Sequence, residues 1–203
     1  MALNQDKMRS LMEEILQEDY VELDVDGYKI EERFDEGRSR IVCQMTSVDG
    51  EDVEVAGEGV GTIDALFDAL RSHLAADFPS LKSIQFSQFS VQGLMSSHDG
   101  EVSTKAEAEA TVGITNSEGR EFVFQSQEPS VSRAGILATV QAAEYFVNSE
   151  RTYVRLHEIL EHYRNEGRTD LVEKYTDLMS QVVQNTSYSE VVEKIRESMK
   201  SES

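Results

Sequence analysis

The sequence predicts an α+β fold built from a duplicated β-β-β-α unit with pseudo-two-fold symmetry, its helices packed on one sheet face. Short runs in which apolar and polar residues alternate are typical of strands with one buried face. Each set of three such runs is followed by a stretch whose apolar residues recur at helical spacing. The order strand, Asp-Gly or Glu-Gly turn, strand, loop, helix occurs over 45–70 and again over 112–146, which indicates an internal repeat.

Three regions follow from these patterns. Residues 1–27 predict an N-terminal helix and a linker, residues 28–148 the duplicated domain, and residues 149–203 a C-terminal helical extension. Apolar residues spaced by three and four place the first helix over 5–17. The linker ends at Asp26-Gly27, which we interpret as a turn.

Composition excludes several classes of function. The chain has 39 acidic and 19 basic side chains and a formal net charge of -20, which repels phosphate backbones, so we expect no nucleic-acid binding. Cys43 is the single cysteine, so we expect a buried thiol and a reducing, cytoplasmic compartment. The N-terminus lacks a signal-peptide pattern, and no apolar run reaches the roughly 18 residues of a membrane span.

Unit one covers residues 28–76. Its first strand begins at Tyr28, and two more follow around Cys43 and Val55. Turns are predicted at Asp35-Glu36-Gly37 and Asp49-Gly50, since glycine tolerates the positive φ of tight turns. A helix over 62–75 then presents one apolar stripe, with Thr62 as its N-cap.

Unit two covers residues 82–148. A strand is predicted from Ile84, Phe86, Phe89 and Val91, and the polar stretch from Gly93 to Thr104 is interpreted as a mobile loop. The next strand alternates alanines with polar residues, which indicates that helices pack closely on its buried face. Glu118-Gly119 predicts a turn, a strand with Phe122 and Phe124 follows, and the second helix is predicted over 132–148.

The extension carries two more helical stripes, separated by a break at Asn165-Glu166-Gly167. Ser187-Tyr188-Ser189-Glu190 has the spacing of a capping box and predicts a final short helix.

The segment from Gly57 to Thr62 predicts a ligand site. Glycines let the backbone turn sharply, and the helix that follows offers unpaired N–H groups and a partial positive charge to a carboxylate. The alternative is a tight strand-to-helix turn without a ligand. Asp64 lies in the first helical turn. Either its carboxylate only stabilises the positive end of the helix dipole, or it contacts the amino group of an effector. Ser132 and Arg133 open the second helix, either as a second half-site or as surface residues.

Catalytic and metal chemistry find no support. His157 and His162 are five residues apart, whereas one helical face requires four for a zinc site. No serine or cysteine lies in a recognisable nucleophile elbow. We therefore expect no enzyme activity, no metal and no cofactor.

The glycine segment and its counterpart in unit two carry a resemblance to a known family. The residues concerned are Asp49-Gly50, Gly57-Glu58-Gly59-Val60-Gly61, Ile63-Asp64-Ala65-Leu66-Phe67-Asp68-Ala69-Leu70, Ala106-Glu107-Ala108-Glu109-Ala110-Thr111-Val112 and Ala138-Thr139-Val140-Gln141-Ala142-Ala143-Glu144-Tyr145. Over residues 28–148 the chain resembles the C-terminal regulatory (leucine-binding, dimerisation) domain of 2-isopropylmalate synthases and citramalate synthases. It departs from that family at Val60 and Thr62, where Asn and Pro are usual, and in the glycine-poor loop over 125–134.

The resemblance implies a non-catalytic regulatory domain of branched-chain amino acid biosynthesis, which binds a branched-chain amino acid or a similar small carboxylate and forms a homodimer. The alternative is a structural or protein-interaction module that kept the fold and lost effector binding. Because the chain begins with methionine, we expect a free-standing domain, a fragment being the alternative, with a synthase or another protein as partner. The predicted effector-binding residues are Gly57, Gly59, Val60, Gly61, Thr62, Ile63, Asp64, Ala65, Ser132 and Arg133.

Overall fold

The computed structural model describes residues 5–98 and 101–184, with side chains for residues 5–94 and 107–183. Within these ranges the β-β-β-α order occurs twice, which confirms the predicted fold class. The elements are α1 (Gln5–Leu16), β1 (Val25–Arg33), β2 (Arg38–Thr46), β3 (Asp52–Gly59), α2 (Thr62–Leu74), β4 (Gln85–His98), β5 (Glu101–Thr115), β6 (Glu121–Glu128), α3 (Val131–Asn165) and α4 (Thr169–Gln184).

Each unit forms its own antiparallel sheet of three strands, in the orders β1-β2-β3 and β4-β5-β6. The three turns at Gly37, Gly50 and Gly119 are ones that the sequence predicts. Gly37, Gly50 and Gly119 adopt φ values of 61°, 78° and 76°, a region that glycine enters without steric cost. α2 packs on β2 and β3, α3 packs on β5 and β6, and the two helices also contact each other.

One core joins both units. Phe122 packs edge-on against Phe146, with ring centroids 5.2 Å apart. Ala108 and Ala110 are buried against Ala134 of α3, which confirms the close helix packing predicted from the alanines; the side chain of Ala106 lies outside the described residues. Cys43 is fully buried, and burial raises the pKa of its thiol to about 11.

The linker after α1 is held against α3 by side chains that imitate a strand partner. The Val21 N–H donates to Asn148 Oδ1, and Asn148 Nδ2 donates to the Val21 carbonyl, both at 2.8 Å. The Leu23 N–H donates to Glu144 Oε2 at 3.1 Å. These bonds join residues more than 120 positions apart in sequence, so the N-terminal segment belongs to the same folded unit.

One predicted turn and one predicted loop are wrong, because both segments belong to strands. Asp26-Gly27 lies inside β1, where an irregularity in the pairing with β2 between Val25 and Gly27 accommodates the extra residue. The stretch predicted as a loop from Gly93 to Thr104 contributes to β4 and β5, whose pairing extends to His98 and Glu101. The backbone makes the ladder hydrogen bonds, so polar side chains do not prevent the pairing.

The helix predicted over 132–148 is too short. α3 runs without interruption for 35 residues, from Val131 to Asn165, because the polar residues Asn148, Ser149 and Glu150 are buried in it rather than ending it. The break at Asn165-Glu166-Gly167 is confirmed, with Gly167 at a φ of 70°. The predicted final helix from Ser187 lies outside the described residues.

Candidate ligand-binding site

A cleft of about 410 Å³ lies where the first turns of α2 and α3 meet. This volume falls within the range of small-molecule sites. The residues that line it come from both units, and they are Glu32, Gly61, Thr62, Ile63, Asp64, Phe86, Phe89, Val131 and Ser132. Five of these, Gly61, Thr62, Ile63, Asp64 and Ser132, are predicted site residues.

The α2 side of the cleft is a helix start without a side-chain cap. Gly61, not Thr62, is the N-cap residue, with φ -128° and ψ 151° and no side-chain cap hydrogen bond. The prediction of Thr62 as N-cap is therefore wrong, because Thr62 already belongs to the helix. The first amides of an α-helix have no partner within the helix, so this end of α2 presents donors and a positive dipole end to an anion.

The α3 side differs, because its helix start is already occupied. Ser130 is the N-cap, and its Oγ accepts a hydrogen bond from the Arg133 N–H at 3.4 Å. Arg133 Nε lies 3.0 Å from Glu128 Oε2, and its side chain is 61% exposed. Arg133 is therefore an ion-paired surface residue beside the cleft, whereas Ser132 lines it.

The remaining lining separates into charge and apolar surface. Asp64 in the first turn of α2 and Glu32 of β1 supply two carboxylates. Ile63, Phe86, Phe89 and Val131 supply an apolar wall. A cleft with amide donors, carboxylates and an apolar wall matches a small zwitterion with an apolar side chain.

A β-bulge in β4 explains why two phenylalanines three residues apart share the cleft. Phe86 pairs with Ile114 and Phe89 pairs with Val112, with a register shift between Phe86 and Gln88. Without the shift, side chains at odd and even positions would point to opposite faces. The apolar pattern changes phase between Phe86 and Phe89 in the sequence itself, which was the available signal for this bulge. Nothing in the sequence indicated that Glu32 and Val131 also line the cleft.

Gly57 and Gly59, two of the predicted site residues, do not line this cleft. Both belong to β3 rather than to a turn, and they let α2 approach the strand. A Cβ built on Gly57 would lie 2.2 Å from the Ala65 carbonyl oxygen, and one on Gly59 would lie 3.1 Å from Ala65 Cβ. Gly57 and Ala65 line a separate open groove beside α2, and Val60 is 85% exposed.

A second cleft, of about 420 Å³, lies between the end of α1, the segment after α2 and the middle of α3. Glu150 lines it, is 5% exposed, and accepts a hydrogen bond from the Ser80 N–H at 3.0 Å. Burial raises the pKa of the Glu150 carboxyl above its ordinary value, and the hydrogen bond from the Ser80 N–H opposes this shift only in part.

Glu150→Gln is expected to raise the free energy of unfolding at neutral pH and to do so less as the pH falls. With a raised pKa, the folded state holds more protons than the unfolded state in the window above 4.5, so stability falls as pH rises through that window. Glutamine imitates the protonated carboxyl and removes this slope. Urea unfolding between pH 4.5 and 8 measures this pH dependence of the unfolding free energy. Glu14→Gln is the control, because Glu14 is exposed. A constant difference between wild type and Glu150→Gln across pH would contradict the expectation.

The described residues contain no group of three or more His, Cys, Asp or Glu side chains placed to hold a metal ion. No helix in that part of the chain is both long and apolar enough to cross a membrane.

Comparison with known proteins adds one family. The model of the LeuA allosteric (dimerisation) domain matches residues 2–147, a range that includes strands β1 to β6, α2, about the first half of α3 and the whole lining of the cleft. A search of curated proteins gives no match.

Proposed function

The chain belongs to the LeuA allosteric (dimerisation) domain family, and from this premise we propose that it is a regulatory domain whose cleft binds an apolar amino acid. Family membership supports a regulatory role and a homodimer. The observation that carries the proposal is the composition of the cleft, in which an uncapped helix start, two carboxylates and an apolar wall face one space.

In the proposed complex, the α-carboxylate of the ligand lies at the start of α2. The amides of this turn have no side-chain cap, and a carboxylate there gains about 0.3–1 kcal/mol from the helix dipole in addition to its hydrogen bonds. α3 offers less, because Ser130 already accepts from its first turn.

The α-ammonium is placed against Asp64 and Glu32. A cationic group is favoured here both locally and by the whole chain, whose formal net charge is -20. A 2-oxo acid carries the same side chain and carboxylate but no ammonium. We therefore infer that the cleft binds amino acids in preference to the corresponding 2-oxo acids.

The ligand's side chain is placed against Ile63, Phe86, Phe89 and Val131. Phe89 and Val131 are 40% and 55% exposed, and the nearby Val60 is 85% exposed. Exposed apolar side chains at the rim of a cleft favour contact with a second copy of the chain, which would also exclude water from the ligand.

Leucine, isoleucine and valine are expected to raise the unfolding temperature, and their 2-oxo acids to do so much less. A ligand at 100 times its Kd stabilises the folded state by about 2.7 kcal/mol. Asp64→Asn is expected to weaken amino-acid binding by about tenfold to a hundredfold, since hydrogen bonds to charged groups contribute about 1.5–3 kcal/mol. Thermal unfolding and calorimetric titration measure both effects.

The matched control is Asp68→Asn, one turn further along α2, where Asp68 pairs with Arg71 at 3.0 Å and lies outside the cleft. Its affinity is expected to equal that of the wild type. If no amino acid or 2-oxo acid in the set binds, the effector proposal is wrong.

A further inference from the structure

α2 and α3 touch at a glycine behind the wall of the cleft. Gly135 is buried in the second turn of α3. A Cβ built on it would lie 2.8 Å from Ile63 Cδ1, 3.2 Å from Ile63 Cγ1 and 3.3 Å from Phe89 Cζ. Ile63 of α2 and Phe89 of β4 therefore occupy the space that any side chain at position 135 would need.

Glycine at this position is costly for the helix itself. In a helix interior it is less favourable than alanine, and α3 carries alanine at other buried positions, including Ala134, Ala138 and Ala142. Packing explains the exception, because optimal carbon–carbon contacts lie at about 3.5–4.0 Å and an alanine methyl would come closer than that to both neighbours.

Ile63 is the neighbour that can move. Its Cδ1 is the free end of a side chain, whereas position 135 is fixed within a helix that the Thr139 hydroxyl also braces by donating to the Gly135 carbonyl at 2.8 Å. Since Ile63 and Phe89 both line the cleft, a methyl at position 135 displaces them towards the ligand.

We propose that Gly135 determines how long a ligand side chain the cleft accepts, because it sets the positions of Ile63 and Phe89. This inference rests on the proposed binding of an apolar amino acid at this cleft. Gly135 is a positioning residue, since it acts on the ligand through the two side chains packed against it.

Calorimetric titration of wild type, Gly135→Ala, Ile63→Val and the double variant with leucine, valine and alanine tests the inference. One methylene in an apolar pocket changes affinity by about tenfold or more. Gly135→Ala is expected to lower the preference for leucine over valine about tenfold. Ile63→Val removes the Cδ1 atom that the new methyl would meet most closely, so the double variant is expected to recover most of the wild-type preference. Gly93→Ala, where a Cβ meets nothing within 4 Å, is the control.

The outcomes separate the two proposals. If the wild type binds no amino acid, both the proposed function and this inference are overturned. If the wild type binds but Gly135→Ala keeps its leucine-to-valine ratio, or loses both ligands equally, only the inference is overturned. If circular dichroism shows that Gly135→Ala does not fold, the test uses Ile63→Val alone. The wider cleft of this variant is expected to favour leucine over valine more strongly than the wild type does. An unchanged ratio of leucine to valine affinity overturns the inference.

Discussion

Gly57→Ala is expected to lower the free energy of unfolding by about 3 kcal/mol, at the upper end of the range for overpacked sites. The added Cβ would lie 2.2 Å from the Ala65 carbonyl oxygen, 2.9 Å from the Ala65 carbonyl carbon and 2.9 Å from Ala69 Cβ. Two of these atoms are backbone atoms of α2, so no rotamer change relieves the contact. The helix must move away from β3, and Leu66 and Phe67 of the same helix leave the core with it.

Thermal unfolding measures the effect, since a chain of this size loses about 2–4 °C of unfolding temperature per kcal/mol. The control is Gly93→Ala in β4, another strand glycine, where a Cβ meets nothing within 4 Å. That variant is expected to stay within about 0.5 kcal/mol of the wild type. Equal stability of the two variants would show that α2 does not need the glycine.

Asn148→Ala is expected to lower the free energy of unfolding by about 3 kcal/mol and to detach the linker after α1. Asn148 is fully buried and makes both hydrogen bonds of the Val21 backbone. Each buried polar group left without a partner costs about 1–3 kcal/mol. Because the linker connects α1 to β1, its loss also weakens the packing of Met8 and Met12 in the core.

Urea unfolding measures the change in free energy, and hydrogen exchange at the Val21 amide locates it. Asn165→Ala is the control, because Asn165 is an exposed residue at the end of the same helix. Wild-type protection of the Val21 amide in Asn148→Ala would contradict the role assigned to this side chain.

The sequence predicted the elements whose patterns are local. Alternation identified the strands around Cys43, Val55 and Phe122. Glycines after acidic residues identified the turns at Gly37, Gly50 and Gly119, where the structure shows positive φ values. It did not predict the full length of α3, because Asn148 and Glu150 resemble solvent-facing residues until their partners, Val21 and Ser80, are known.

For the candidate site, sequence reasoning located the α2 helix start but misjudged the glycines before it. Glycine serves both sharp turns and close approach of backbones, and the sequence does not distinguish the two uses. Only the packing of α2 assigns Gly57 and Gly59 to the second use. The bulge between Phe86 and Phe89 has a signal in the apolar pattern, but its partner in β5 does not: a Cβ on Gly113 would lie 2.9 Å from Gln88 Cβ.

The uninterrupted α3 is about 50 Å long, at about 1.5 Å per residue. One end of the helix lies at the cleft, its middle is held by the linker at Asn148, and its distal half carries α4, where Tyr163 and Tyr175 stack with ring centroids 5.6 Å apart. A tilt of about 5° around the middle displaces each end by about 2 Å. If the proposed ligand shifts the start of α3 at the cleft, we expect α4, which packs on the other half of the same helix, to shift with it.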